Sequence, residues 1–312
     1  MKKSLIIIFI VILAIHIAAL IVLMLQREPS DEQDLPRPDS PPILVPEPTI
    51  NQQDNPILNT PAPKKKAPKK IEPQKRPVTK SPKKTGPLDF KKAVNGNIEN
   101  LPQCKKVKSG ILVDVDNRRV LWSKNSKQAV PIASMTKMMT VLLVSEDIKA
   151  GKLSPTKEIK VTKNAASIGG SDVWLDPRES FPLNELLKAI VIKSANDAAY
   201  LVAEDNGKGD VKIFVKRMNA KAKKMGLKSA FFANPHGLPE KSGKDNVCSS
   251  ADMVVIAEEL LKYPDIIKLS STKIDYLPRK VGKTKKTMLL NTNKLIRKGC
   301  PGVDGLKTGY TN

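Results

Sequence analysis

The chain has 312 residues, a formal net charge of +23, only 4% aromatic residues and three cysteines. That length holds one large domain or two ordinary ones. The charge is spread along the chain with no basic–aromatic groove pattern, which argues against nucleic-acid recognition; it fits either work near anionic polymers such as wall material or lipid headgroups, or simply a lysine-rich proteome.

Residues 5–26 are almost wholly apolar and interrupted only by His16. Such a run makes roughly 33 Å of helix, enough to cross a bilayer core. Lys2 and Lys3 precede it, while Glu28, Asp31, Glu32 and Asp34 follow. This asymmetry predicts a cytoplasmic N-terminus with the rest of the chain outside, on the periplasmic or extracytoplasmic face of the cytoplasmic membrane. The run exceeds the core of a cleaved signal, and its end, Leu23 to Arg27, lacks small residues. An uncleaved anchor over residues 1–26 is therefore expected rather than a signal peptide.

Residues 27–104 read as a disordered linker. Prolines recur from Pro29 to Pro87, acidic residues lead, and lysines such as Lys64, Lys65, Lys66, Lys69 and Lys70 follow. No apolar period survives, so burial cannot offset the ordering entropy. Proline makes such a segment stiff and extended.

From Lys105 the texture is that of a folded domain, expected over 105–312. Gly110–Asp116 and Val120–Ser123 read as a hairpin around Asp116–Arg119. Ser134–Ile148 reads as a helix apolar on nearly every face, hence central and buried, ending at Gly151. Residues 182–206 read as helix, a break near Lys193–Asn196, then helix again. Over 210–226, Val211, Phe214, Val215, Met218, Ala222 and Met225 recur at helical steps. Ser250 opens a further helix, capped by Ser249 or Ser250. Strands flanking helices predict an α+β domain with one antiparallel sheet and a helical subdomain. Cys104, Cys248 and Cys300 lack zinc or redox spacing; their odd number permits at most one internal disulfide.

Three short motifs carry the chemistry. Ser134-Met135-Thr136-Lys137 places serine and lysine on one helix face, with the serine at the N-terminus where the dipole favours a developing anion. A lysine made neutral by burial can take the serine proton. Ser194-Ala195-Asn196 offers a hydroxyl for proton relay and an amide able to orient the lysine and a substrate carbonyl. Lys307-Thr308-Gly309 reads as an edge strand whose glycine admits a substrate backbone, while Lys307 and Thr308 suit a carboxylate. Each motif alone is commonplace. Their ordered combination is not.

Together they resemble the serine D-alanyl-D-alanine carboxypeptidases, low-molecular-mass penicillin-binding proteins related to β-lactamases. Phe232-Ala233-Asn234-Pro235-His236-Gly237-Leu238, Asn291-Thr292-Asn293 and Gly305 to Thr311 extend the resemblance over roughly residues 105–312. It implies a β-lactamase/transpeptidase-like fold and removal of the terminal D-alanine from peptidoglycan stem peptides, with β-lactams as inhibitors. It implies Ser134 as nucleophile, Lys137 as base, and Ser194 and Asn196 in relay and orientation. Lys307, Thr308, Gly309 and Tyr310 would bind substrate, the backbone N–H groups of Ser134 and Tyr310 forming the oxyanion hole. His236 is structural in that pattern, and no metal or cofactor is implied.

Such a domain would continue with further strands and a helix beyond Gly309, whereas three residues follow it here, so an incomplete domain is expected. The proline-rich linker also departs from the family. A DD-endopeptidase of the same superfamily is an alternative. So is an inactive membrane-anchored envelope or wall-binding protein. A β-lactamase ranks lower, because no segment matches its deacylating glutamate.

Overall fold

A helix that is apolar all round has to be surrounded, and Lys137–Lys149 is buried continuously from Lys137 to Ser145. A computed structural model describes Cys104, residues 106–240, 243–282 and 284–311. The expected anchor and the linker up to residue 103 lie outside the described residues. Among the described residues no helix is long and apolar enough to cross a membrane.

Strands β1 (Gly110–Asp114) and β2 (Arg119–Lys124) form the expected antiparallel hairpin. Its turn is closed by the Asp114 carboxylate, which accepts from the Asn117 backbone and side-chain N–H groups. Strand β3 (Ala129–Pro131) leads into a 3₁₀ turn, Ala133–Thr136, and then into α1 (Lys137–Lys149). The expected helix thus splits: Ser134 sits in the tight entry turn and Lys137 opens the α-helix. Met139, Leu142 and Val144 are fully buried, and α1 ends before Gly151, whose φ of +71° stops the helix.

Strands β4 (Glu158–Lys160) and β5 (Ser180–Pro182) pair around the short helix α2 (Lys163–Ala166). Helix α3 (Leu183–Lys188) runs into a π turn, Ala189–Lys193, and α4 (Asn196–Asn206) follows. The expected break is therefore real and has a specific form: the π turn ends on Ser194 in the left-handed region, φ +66°. Helix α5 (Val211–Lys224) buries Phe214, Met218 and Ala222, the predicted stripe. Strand β6 (Val247–Ser249) pairs with β3 and leads into α6 (Ser250–Leu260). The α6 cap is Ser249, whose hydroxyl accepts from the Asp252 N–H at 3.1 Å. Helix α7 (Pro264–Ser271), the hairpin β7 (Ile274–Pro278)–β8 (Lys286–Leu290) and α8 (Lys294–Arg297) complete the described elements. Helix α1 contacts α4, α5, α6 and the π turn, so the core surrounds the helix that begins at Lys137.

Two expectations are corrected. The strands do not form one antiparallel sheet. Among the described residues they make four two-stranded antiparallel sheets. Each ladder rests on helices rather than on another strand: β1 lies on α6, and β7 and β8 lie on the π turn. Residues 303–311, with Lys307-Thr308-Gly309, are not a strand. A strand exists only with a ladder partner, and none of the described strands pairs with this segment. The three cysteines are free, so no disulfide forms; burial pushes the Cys248 thiol up to about 12.

Candidate active site

The 3₁₀ turn at the head of α1 sets Ser134 and Lys137 three residues apart on one face, and the Lys137 Nζ lies 3.0 Å from the Ser134 Oγ. Lys137 is only 1% exposed. Its Nζ also donates to the Asn196 Oδ1 and to the His236 carbonyl, both at 2.6 Å. Burial is the main cause of a pKa held well below the ordinary lysine value, the positive charge of Lys307 adds to it, and Asp197 opposes it. The result favours a neutral amine. Two N–H groups then serve the amide and carbonyl oxygens, which can only accept, and the remaining lone pair faces the serine hydroxyl. That is the arrangement a general base needs.

Asn196 is held from behind. Its Nδ2 donates to the Gly169 carbonyl at 2.8 Å, and its backbone N–H donates to the Ser171 carbonyl at 2.7 Å. Asp197, next in sequence, is buried in the first turn of α4. Its carboxylate accepts from the backbone N–H groups of Ala198, Val173 and Leu175, which fixes loop 169–175 against the helix. Burial raises the Asp197 pKa, and these three amides counter it. Ser194 is 3% exposed, and its Oγ is buried without a hydrogen-bond partner. A left-handed non-glycine residue and an unpaired hydroxyl are both costly.

Two segments close on the serine turn. Gly237 has φ +93°, and a Cβ there would lie 2.0 Å from the Ala133 carbonyl oxygen, so only glycine lets this loop reach the turn. Gly309 approaches the same turn: a Cβ on it would meet the Ile132 carbonyl oxygen at 2.9 Å. The Thr308 Oγ1 lies 2.7 Å from the Thr292 Oγ1, which ties the segment to the loop after β8. The Lys307 Nζ donates to the Thr308 carbonyl at 2.9 Å, and burial lowers its pKa to about 8. Tyr310, by contrast, is 85% exposed. The structure therefore gathers Ser134, Lys137 and Asn196 by direct hydrogen bonds and sets Gly309 on the serine turn. It leaves the Ser194 hydroxyl unbonded and the Tyr310 side chain in solvent.

His236 lies at the edge of this arrangement, its carbonyl taking the Lys137 amine. Its ring is buried, its Nδ1 accepts from the Leu238 N–H at 3.2 Å, and burial beside Lys137 lowers its pKa to about 4. Several site-building residues had no signal in the sequence. The buried amide of Asn246 donates to the Thr136 Oγ1 and accepts from the Ala233 and Asn234 N–H groups, joining β6 to the serine turn. The Thr140 hydroxyl donates to the Pro235 carbonyl one helical turn beyond Lys137. Asp197 was at least adjacent to a motif, and Asn246 stands next to nothing distinctive.

A family model described as "D-alanyl-D-alanine carboxypeptidase" matches residues 97–312. "D-alanyl-D-alanine carboxypeptidase DacF" of Bacillus subtilis (strain 168) is 45% identical over 206 residues, covering 66% of this chain and 51% of the relative. The chain thus spans about half the length of that relative. A "D-alanyl-D-alanine endopeptidase" of Haemophilus influenzae is 34% identical over 210 residues, covering 67% of this chain and 68% of the relative. Among solved structures, penicillin-binding protein D2 from Listeria monocytogenes in its ampicillin-bound form aligns with a TM-score of 0.55 at 27% identity, covering 66% of this chain and 79% of that one.

Proposed function

This chain belongs to the Peptidase_S11 family of D-alanyl-D-alanine carboxypeptidases, and from that premise we propose that it removes the terminal D-alanine of peptidoglycan stem peptides through an acyl-enzyme on Ser134. The observation that carries the reading is the Lys137 amine, buried, held by two pure acceptors and aimed at the Ser134 Oγ. Lys137 takes the hydroxyl proton as the oxygen attacks the penultimate D-alanyl carbonyl. The amide bond breaks, and the leaving D-alanine amine receives a proton from Lys137, relayed by Ser194. Water then attacks the ester, with Lys137 again as base, and frees Ser134. Lys307 and Thr308 hold the substrate's terminal carboxylate. The backbone N–H groups of Ser134 and Tyr310 receive the oxyanion; the packing of Gly309 against the serine turn supports that pairing.

A β-lactam presents a strained amide to the same serine and is proposed as a covalent inhibitor. An endopeptidase reading is favoured by relatives of that name, among them the one from H. influenzae, of which the chain covers 68%. Substrate separates the two, because a carboxypeptidase releases free D-alanine from an uncrosslinked peptide. Placement outside the cytoplasmic membrane behind an N-terminal span also belongs to the proposal, and the Leu5–Gln26 run behind Lys2 and Lys3 supports it.

The deciding experiment is fluorescent-penicillin labelling of native membranes beside a Ser134→Ala strain, with D-alanine release from a D-Ala-D-Ala peptide measured in parallel. A Ser134-dependent band with D-alanine release is expected. Protein present without such a band would overturn the proposal and favour the inactive envelope-binding reading.

A further inference from the structure

Trp174 is 68% exposed and takes φ +52°, a left-handed backbone that bulky side chains rarely adopt. Such strain persists only where the surroundings impose it. Here they impose it from two sides. Arg279, at the end of the β7–β8 hairpin, donates to the Val173 and Trp174 carbonyls, each at 2.8 Å. Arg279 is itself fixed by the buried Glu179 carboxylate, which also accepts from the Lys280 and Val281 N–H groups. From the opposite side the Asp197 carboxylate takes the Val173 and Leu175 N–H groups, each at 3.1 Å. A buried ion pair and a buried carboxylate thus rigidify a backbone whose one large apolar side chain is left to solvent.

The same loop builds the active site. Gly169 and Ser171 hold Asn196, which holds Lys137, and Asp197 follows Asn196 in sequence. Four residues separate Gly169 from Trp174. Resting on the acyl-enzyme reading, we propose that Trp174 is a substrate-contacting platform. It packs against the side chain of the residue that precedes D-Ala-D-Ala in the acyl-donor peptide. With the leaving residue's carboxylate assigned to Lys307 and Thr308, the retained portion of the peptide runs along the Asn196 side, where loop 169–175 is tied by the Gly169 and Ser171 carbonyls. An indole face suits a long side chain whose methylenes cover the ring and whose amine sits over it. A rigid aromatic also loses little conformational entropy on binding, which is the advantage of fixing its backbone beforehand.

The test compares two N-acylated peptides, one with lysine and one with glycine ahead of D-Ala-D-Ala, on the wild-type chain, Trp174→Ala and Trp174→Phe, with penicillin acylation of each measured by mass. The wild type should prefer the lysine peptide. Trp174→Ala should lose about five- to tenfold in kcat/KM on that peptide, chiefly through KM, and lose the preference, while Trp174→Phe keeps most of it. Equal losses on both peptides and on penicillin would show that Trp174 only supports the loop, and the platform would fall while the acyl-enzyme stands. An unchanged preference in Trp174→Ala would sink it likewise. A wild-type chain that neither acylates nor cleaves would remove the acyl-enzyme reading and the platform with it.

Discussion

The Lys137 Nζ stands 3.0 Å from the Ser134 Oγ, at the head of an otherwise apolar helix, with its other hydrogen bonds ending on the Asn196 side-chain oxygen and the His236 carbonyl. Neither of those oxygens can supply a proton, so the serine hydroxyl is the only partner of the three that can donate to the amine. The relationship converts burial, normally a penalty for a lysine, into basicity available at the serine.

Lys137→Arg keeps a long nitrogen-bearing side chain but replaces the neutral amine with a guanidinium that cannot lose its proton at working pH. Acylation by penicillin is expected to fall by about 10²–10⁴-fold, the range for loss of a general base. Ser134→Ala should abolish covalent labelling while circular dichroism and melting stay near wild type. Labelling that survives in Ser134→Ala would mean a different nucleophile.

The pH dependence follows from Lys137 and Lys307. Acylation should rise with pH as the Lys137 amine deprotonates, along a limb set below the ordinary lysine value by burial and by the charge of Lys307. Lys307→Met removes that repulsion, so the limb should move to higher pH, in addition to weaker substrate capture. Stability has the same sign. Each lysine binds a proton more weakly folded than unfolded, so its destabilising effect is full below the folded pKa and fades as pH rises toward 10.5. For Lys307 that window opens at about 8. Between about pH 7 and 9 the wild-type melting temperature should therefore gain on that of Lys307→Met; parallel curves would refute the assignment.

Much of this architecture is written in local pattern. The apolar run after Ser134 and the stripe from Phe214 to Ala222 declare their helices because burial of a face requires those periods. The three motifs were readable because their residue types are few and their order is fixed. What could not be read was set by distant partners. The π turn before Ser194 meets a distant loop, where the Ser171 hydroxyl donates to the Lys193 carbonyl at 2.9 Å, a contact no local propensity encodes. Lys307-Thr308-Gly309 looked like a strand because glycine and valine precede it, but a strand is a property of two chains in register. Asn246 is invisible in sequence because its importance lies in what surrounds it.

Asn246 gives a stability prediction. Its Oδ1 accepts from the Ala233 N–H at 2.6 Å and the Asn234 N–H at 3.1 Å, and its Nδ2 donates to the Thr136 Oγ1 at 2.9 Å. Asn246→Ala leaves two backbone donors in the interior without partners, at a cost of about 2–4 kcal/mol. Urea denaturation should show that loss, with acylation slowed as well because Thr136 sits between Ser134 and Lys137. A loss under about 0.5 kcal/mol, the range of ordinary surface substitutions, would mean that water satisfies these amides.

Ser194 should separate stability from activity. Its hydroxyl is buried and unpaired in the structure, and its backbone is left-handed at φ +66°. A side chain kept only for packing would have no reason to carry that hydroxyl. Ser194→Ala removes the unsatisfied group, so the melting temperature should hold or rise, by up to about 1 kcal/mol in stability. Ser194→Gly should stabilise further, since glycine adopts positive φ without steric cost. Both variants should lose the proton relay, with acylation or peptide turnover reduced by about 10²-fold. Thermal melts and single-turnover penicillin acylation on the same preparations decide it. If both variants melt lower and acylate normally, the hydroxyl is structural and the relay passes elsewhere. If they melt higher and turn over slowly, the strain at Ser194 is retained for the chemistry.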